Sequence, residues 1–237
     1  MNARPSPLAL AEVLARGDVW RGDALAGLPA PALPSGHAEL DAELPGGGWP
    51  CGALTEFLAA HAGIGEMSLL LPALARLSAD GGWLALVSPP WQPYGPACAA
   101  AGLDLDRLVV VRAGAEAAWC CEQLIASSGF AGVLAWPERD FDARALRRLQ
   151  VAAEGRRVFV ALWRPVAAIA APSPAPLRIV LDVAAGALSL RIIKRRGRPA
   201  ARPLMLAGAR PGRNSRVVAG SAFSPVRAGI PAAAAIA

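Results

Sequence analysis

The chain has 237 residues, 54% of them hydrophobic and 18% charged, so its bulk must fold around a core rather than remain an open coil. Net charge is +6 but unevenly placed: residues 1–138 sum to −8 and residues 139–237 to +14, with eight arginines and no acid from Arg195 onward. Collagen-like and disulfide-stapled chains are excluded, and the split points to an acidic body with a basic arm for a polyanion or an acidic partner.

Apolar runs such as 69–74 and 158–162 are far shorter than the roughly 20 residues of a bilayer span. Glu12 breaks the amino-terminal apolar run, so no signal-peptide core forms. A soluble, cytoplasmic protein with no membrane contact is expected. The four cysteines contain no C-x-x-C pair, and only His37 and His61 accompany them. No local metal motif results, and buried free thiols are the expectation. No cofactor is expected.

The pattern of residues 7–16 predicts a short helix with Leu10, Val13 and Leu14 on one side, followed by a Pro/Gly-rich linker or extended segment over 17–34. Leu54–Leu58 reads as a buried strand and Met67–Leu77 as a helix, with Pro72 inside it as a kink or early start. Strands then follow at 83–87, 107–111, 132–136 and 157–162, with helices at 95–101, 116–127 and 143–154. This alternation predicts an α/β fold with a doubly wound, mostly parallel sheet. After the Pro/Ala loop at 165–176, runs at 177–183 and 187–193 predict an antiparallel hairpin closing the sheet edge. Residues 195–237 lack periodicity and are expected to be disordered until bound. The expected division is 1–33 helix and linker, 34–194 core, 195–237 basic tail.

The strand–loop–helix at 54–77 is where a phosphate-binding loop G-x-x-x-x-G-K-[ST] belongs. Aligned on Gly65, the first glycine is replaced by Ala60, the lysine by Glu66 and the hydroxyl by Met67, while Gly63 remains. A carboxylate repels a triphosphate, and methionine cannot hold magnesium. The loop is therefore read as a degenerate phosphate loop.

Pro34-Ser35-Gly36-His37-Ala38-Glu39-Leu40-Asp41, the glycine cluster 46–48 and Pro50-Cys51-Gly52 lead into that strand. This arrangement resembles the start of a RecA-type ATPase core, over about residues 34–194. Further features are Leu-Pro-Gly-Gly-Gly-Trp-Pro (44–50), Gly63-Ile-Gly-Glu66, Pro89-Pro90-Trp-Gln-Pro-Tyr94, Ala135-Trp136-Pro137, Arg147-Arg148-Leu-Gln150, Ala152-Ala153-Glu154 and Lys194-Arg-Arg-Gly197. Together they resemble the ImuA family of SOS-mutagenesis accessory proteins. The resemblance implies a RecA-like fold and a non-catalytic role in translesion synthesis, with ImuB, an error-prone polymerase alpha-type subunit and RecA as partners. It also implies cytoplasmic placement, nucleoid-associated during DNA damage. A RecA-type enzyme has a water-activating glutamate after its second strand and a metal aspartate at the end of its fourth. Here those places read Ser88-Pro89-Pro90-Trp91 and Leu134-Ala135-Trp136, so a pseudo-ATPase is expected. A SulA-like division inhibitor binding FtsZ is the alternative.

Trp49, Trp91 and Tyr94 are candidates for a docking surface near the carboxyl ends of the strands, or for rings that plug a vacated pocket. Arg144, Arg147, Arg148, Arg156 and Arg157 form either a basic binding face or a solvated helix surface. Lys194, Arg195, Arg196, Arg198, Arg202, Arg210, Arg213 and Arg216 are candidates for non-specific DNA contact or for an acidic protein groove. Leu10, Val13 and Leu14 are the candidate contact to a RecA-like neighbour, or fold back on their own core.

Overall fold

The computed structural model describes residues 31–197 and 202–206. Its strands are β1 (Ala32–Leu33), β2 (Trp49–Pro50), β3 (Ala53–Ala59), β4 (Trp83–Val87), β5 (Leu108–Val111), β6 (Phe130–Ala135), β7 (Phe159–Pro165), β8 (Leu177–Ala184), β9 (Ala187–Lys194) and β10 (Leu204–Leu206). The helices are α1 (Ala38–Glu43), α2 (Glu66–Ala79), α3 (Gly95–Ala100), α4 (Ala117–Ala126) and α5 (Ala143–Ala153). β1 and β2 form a small antiparallel ribbon, and the other eight strands form one sheet in the order β10-β9-β8-β3-β7-β6-β4-β5. Neighbouring strands from β8 to β5 are parallel; β9 and β10 run antiparallel. The expected mixed α/β architecture with a mostly parallel sheet is observed.

Both faces of the sheet are covered, which is why β3 and β7 read as almost continuous apolar runs. On one face Leu69, Leu70, Ala73 and Leu74 of α2 are buried with Leu40 of α1 and Cys98 of α3. Burying each of those leucines contributes about 1.5–3 kcal/mol. On the other face, Cys121 and Ile125 of α4 and Leu146 and Leu149 of α5 pack on Leu54, Val133 and Val160. A third, small cluster of Leu58, Ala168 and Val180 lies beneath the 3-10 turn Val166–Ala170.

The motif residues of the amino-terminal region have local structural work. The Ser35 N–H donates to Asp41 Oδ1 at 2.8 Å, closing the turn before α1. Pro72 is accommodated within α2. A Cβ at Gly36 would lie 2.4 Å from Pro72 Cβ, so Gly36 leaves the ring its space. Gln150 of α5 accepts from the Leu54 N–H at 3.0 Å, tying the helix to the start of β3.

Two expectations need correction. The β8–β9 hairpin does not close the sheet edge, because β10 pairs beyond it, Leu204 opposite Leu190 and Leu206 opposite Leu188. β10 lies within the segment expected to have no structure. Its three residues are too few for a periodic signal, and Leu206 is held by its pairing opposite Leu188 and by the core cluster it joins. The ribbon and α1 also went unassigned in the sequence, being two and six residues long. Among the described residues no helix is long and apolar enough to cross a membrane.

Candidate functional site

The carboxyl ends of β3, β4, β6 and β7 surround a cavity of about 540 Å³. This is where parallel α/β sheets place ligands. Its floor includes Trp136 and Trp163, stacked with ring centroids 4.1 Å apart. The stack continues to Phe57 at 5.2 Å, whose ring meets Trp49 edge to face at 5.5 Å, so aromatic rings fill the interior below the cavity. Trp136, just past the end of β6, belongs to this apolar column.

Beside the cavity, the loop 60–65 turns β3 into α2. Gly63 and Gly65 have φ of 84° and 107°, in the left-handed region. A side chain at Gly63 would also meet the Trp91 ring, 3.0 Å from the added Cβ. The loop closes on Glu66, the first residue of α2. Its Oε1 accepts the Gly63 N–H at 2.7 Å and its Oε2 the Gly65 N–H at 3.1 Å. Glu66 is only 4% exposed, and its negative charge faces the positive end of the α2 dipole. Both of these loop N–H groups are thus bonded to the chain's own carboxylate.

Glu66 and Met67 also line a separate cavity of about 220 Å³, mostly apolar, with Pro89, Pro90, Trp91 and Tyr94. Trp91 and Tyr94 are 61% and 71% exposed, whereas Trp49 is fully buried. Trp49 is therefore removed from the candidate docking surface: it packs between Phe57 and Phe159 and belongs to the core. At the end of β4, Ser88 has φ of 48°, and its Oγ accepts the Ala113 N–H at 3.3 Å.

A buried ionic node was missed in the sequence. Glu56 on β3 is fully buried and faces Arg178 across the β3–β8 pairing. Arg178 Nε donates to Glu56 Oε2 at 2.8 Å, and Arg164 Nη1 reaches both Glu56 oxygens at 3.1 Å. Arg164 also forks onto Asp140, Nε to Oδ1 at 2.7 Å and Nη2 to Oδ2 at 2.8 Å. Ser173 Oγ donates to Glu56 as well. The hydrogen bonds to Asp140, then the charges of Glu56 and Asp140, hold the Arg164 pKa above its ordinary value against desolvation. The available signal was a glutamate inside an apolar strand run, which burial forbids without a cationic partner. Arg112, on the cavity wall, bonds Gln92 Oε1 at 2.8 Å.

The basic segment is anchored where it leaves the sheet. Lys194 Nζ donates to the Ser173 carbonyl at 2.7 Å, and burial beside Arg178 lowers its pKa. Arg195 pairs with Glu43 at 2.7 Å, while Arg196 and Arg202 are exposed. On α5, Arg148 pairs with Glu122 at 2.6 Å, and Arg156 Nε caps the Ala152 carbonyl at 2.8 Å. Leu10, Val13, Leu14, Arg198, Arg210, Arg213 and Arg216 lie outside the described residues. Among the described residues no three His, Cys, Asp or Glu side chains group as a metal site.

Residues 42–168, more than half of the chain, match the family model described as "MT3502 N-terminal domain". The chain belongs to the MT3502 N-terminal domain family. The family's segment runs from α1 to the turn after β7 and so contains the closed loop, the aromatic column and both cavities' principal walls. No curated protein matches the chain. Among solved structures it is similar to SulA from Pseudomonas aeruginosa, at 25% identity and a TM-score of 0.39, over 47% of this chain and 97% of that one.

Proposed function

We propose that this chain is a catalytically inactive, RecA-like accessory subunit of the ImuA type. It would serve an SOS-induced translesion-synthesis complex by docking on ImuB, RecA and an error-prone polymerase alpha-type subunit. The observation that carries the inactive part is the Glu66 carboxylate bonded to the Gly63 and Gly65 N–H groups. A nucleotide phosphate would have to displace that carboxylate and then lie beside it, losing two charge-assisted bonds and gaining a repulsion. Met67 and Trp136, at the magnesium positions, offer no oxygen ligand.

Support for a docking role comes from what the chain exposes. Trp91 and Tyr94 stand beside an apolar cavity, and large exposed aromatics are the side chains that anchor interfaces. The acid-free carboxyl-terminal segment supplies positive charge for non-specific DNA contact or an acidic partner. The motifs shared with the ImuA family favour the damage-response setting in the cytoplasm and at the nucleoid.

The test is affinity capture of the full chain from DNA-damaged cells, with Trp91→Ala/Tyr94→Ala alongside, and calorimetry with ATP and magnesium. ImuB or polymerase subunits should be captured, the aromatic variant should lose part of that capture, and no ATP heat should appear. Capture of FtsZ instead would overturn the complex in favour of a SulA-like inhibitor. Micromolar ATP binding would overturn the inactive reading.

A further inference from the structure

Among the described residues, the sheet face that carries the 3-10 turn Val166–Ala170 has a depression beside β9 and the lead-in to β10. A shallow cavity of about 500 Å³ lies there, walled by Ile169, Ile193, Arg178, Arg191, Arg202 and Pro203. Arg178 is spent: its Nε bonds Glu56, and its Nη2 donates to the Ala168 carbonyl at 2.7 Å. Arg191 and Arg202 are different. Both are exposed, and neither guanidinium makes a hydrogen bond or an ion pair among the described residues. They are held near one another by pairing, since Arg191 lies on β9 one residue beyond Leu190, and Leu190 faces Leu204, two residues after Arg202.

Among the described residues no acidic side chain lines the cavity, and no acid follows Asp182 in the sequence. The carboxyl-terminal segment therefore adds positive charge and cannot neutralise these guanidiniums. Between them the surface is aliphatic. Ile169 is partly exposed, and Ile193 packs against the Leu58–Ala168–Val180 cluster with part of its side chain outward. Two unpaired guanidiniums over an aliphatic floor complement carboxylates next to an apolar side chain. A nucleic-acid strand uses this surface poorly, because its bases stack on aromatic rings and none lines the cavity.

We infer that this cavity is a docking site for an acidic segment of a partner protein that carries an aliphatic residue beside its carboxylates. Arg191 and Arg202 take the carboxylates, and the Ile169–Ile193 floor takes the aliphatic side chain. The site is distinct from the loop at Glu66 and from the Trp91–Tyr94 surface, and would take such a segment whatever assembly the chain serves.

The probe is a labelled synthetic peptide of alternating aspartate and leucine, titrated against the full chain by fluorescence anisotropy at physiological salt. Polyaspartate and oligothymidylate of equal length are the controls. Arg191→Glu/Arg202→Glu should weaken the aspartate–leucine peptide by ~10-fold or more. Ile169→Ser/Ile193→Ser should weaken it by about 3-fold while leaving polyaspartate unchanged. Arg210→Glu/Arg213→Glu should leave the leucine-dependent advantage intact. Circular dichroism checks folding, and Arg191→Gln/Arg202→Gln gives a milder variant should charge reversal disturb it. Three results would each overturn the site: no loss on charge reversal or in its milder form, no effect of the isoleucine pair, or oligothymidylate alone responding. Tighter peptide binding after Glu12→Gln/Asp18→Asn/Asp23→Asn would assign the cavity to this chain's own amino-terminal acids, and also overturn the partner.

Discussion

Glu56, within β3, and Glu66, the first residue of α2, lie ten residues apart and are both buried, yet their charges are held by different means. Glu56 is held by two arginines from β7 and β8 with a serine hydroxyl. Glu66 is held by two backbone N–H groups of its own loop and by the start of its own helix. The difference is what remains when the carboxylate goes. At Glu56 the buried Arg178 loses its carboxylate partner, and Arg164 keeps only Asp140; at Glu66 two neutral donors are left, and water or an anion can satisfy them. One glutamate is a strut of the sheet, and the other a plug in a loop.

The strut should give the largest effect. Glu56→Gln should destabilise by about 3–5 kcal/mol in urea or thermal unfolding. Replacing Glu56, Arg164 and Arg178 together with Leu, Met and Met should restore much of that loss. A Glu56→Gln penalty under about 1 kcal/mol would erase the distinction between the two sites.

Removing the plug should cost less and expose something new. Glu66→Ala should lose about 1.5–3 kcal/mol, the range for hydrogen bonds to a charged group. It should also gain a thermal shift in inorganic phosphate that the parent chain lacks, because the freed donors sit at a helix start. Equal phosphate response in parent and variant would mean that Glu66 does not close the loop. Glu56→Gln should show no such gain.

Cys121 sharpens the comparison as a buried group with no opposite charge beside it. Burial, and then the neighbouring Cys120, push its thiol pKa up from 9.0 to about 12. A raised folded-state value means that the stabilisation is complete below about pH 9 and is lost as pH rises toward 12. At pH 10 the loss is about 1.4 kcal/mol. Comparing urea midpoints of the parent and Cys121→Ala at pH 8 and pH 10 should show a shallower alkaline decline in the variant; identical declines would contradict the assignment. The smallest effect belongs to the exposed pair Arg148–Glu122. Arg148→Ala should change stability by no more than about 0.5 kcal/mol in the same assay.

The strands and helices of the central alternation were legible because each is set by its own periodicity, and ten-residue helices such as α4 repeat their pattern enough to be read. The loop's place between β3 and α2 was legible too, because its glycines fall between an apolar strand run and a helical one. Trp49 was misplaced because a tryptophan between glycines and a proline has no periodic neighbours to say which way it faces. Its burial against Phe57 and Phe159 depends on the β1–β2 ribbon folding onto the sheet.

By itself, then, the sequence determined the α/β alternation, the placement of Glu66 and Met67 directly after Gly65, and the division of charge into an acidic body and a basic end. Those properties are carried by side-chain identity and short-range spacing. Only the tertiary structure decided that Glu66 turns back onto its own loop, that β10 extends the sheet, and that Arg191 and Arg202 share an open cavity. It also decided that Glu56 meets Arg164, Ser173 and Arg178, which lie 108, 117 and 122 residues away. The order in which distant strands pair is set by the burial of both sheet faces at once, a condition on the whole chain that no local window contains.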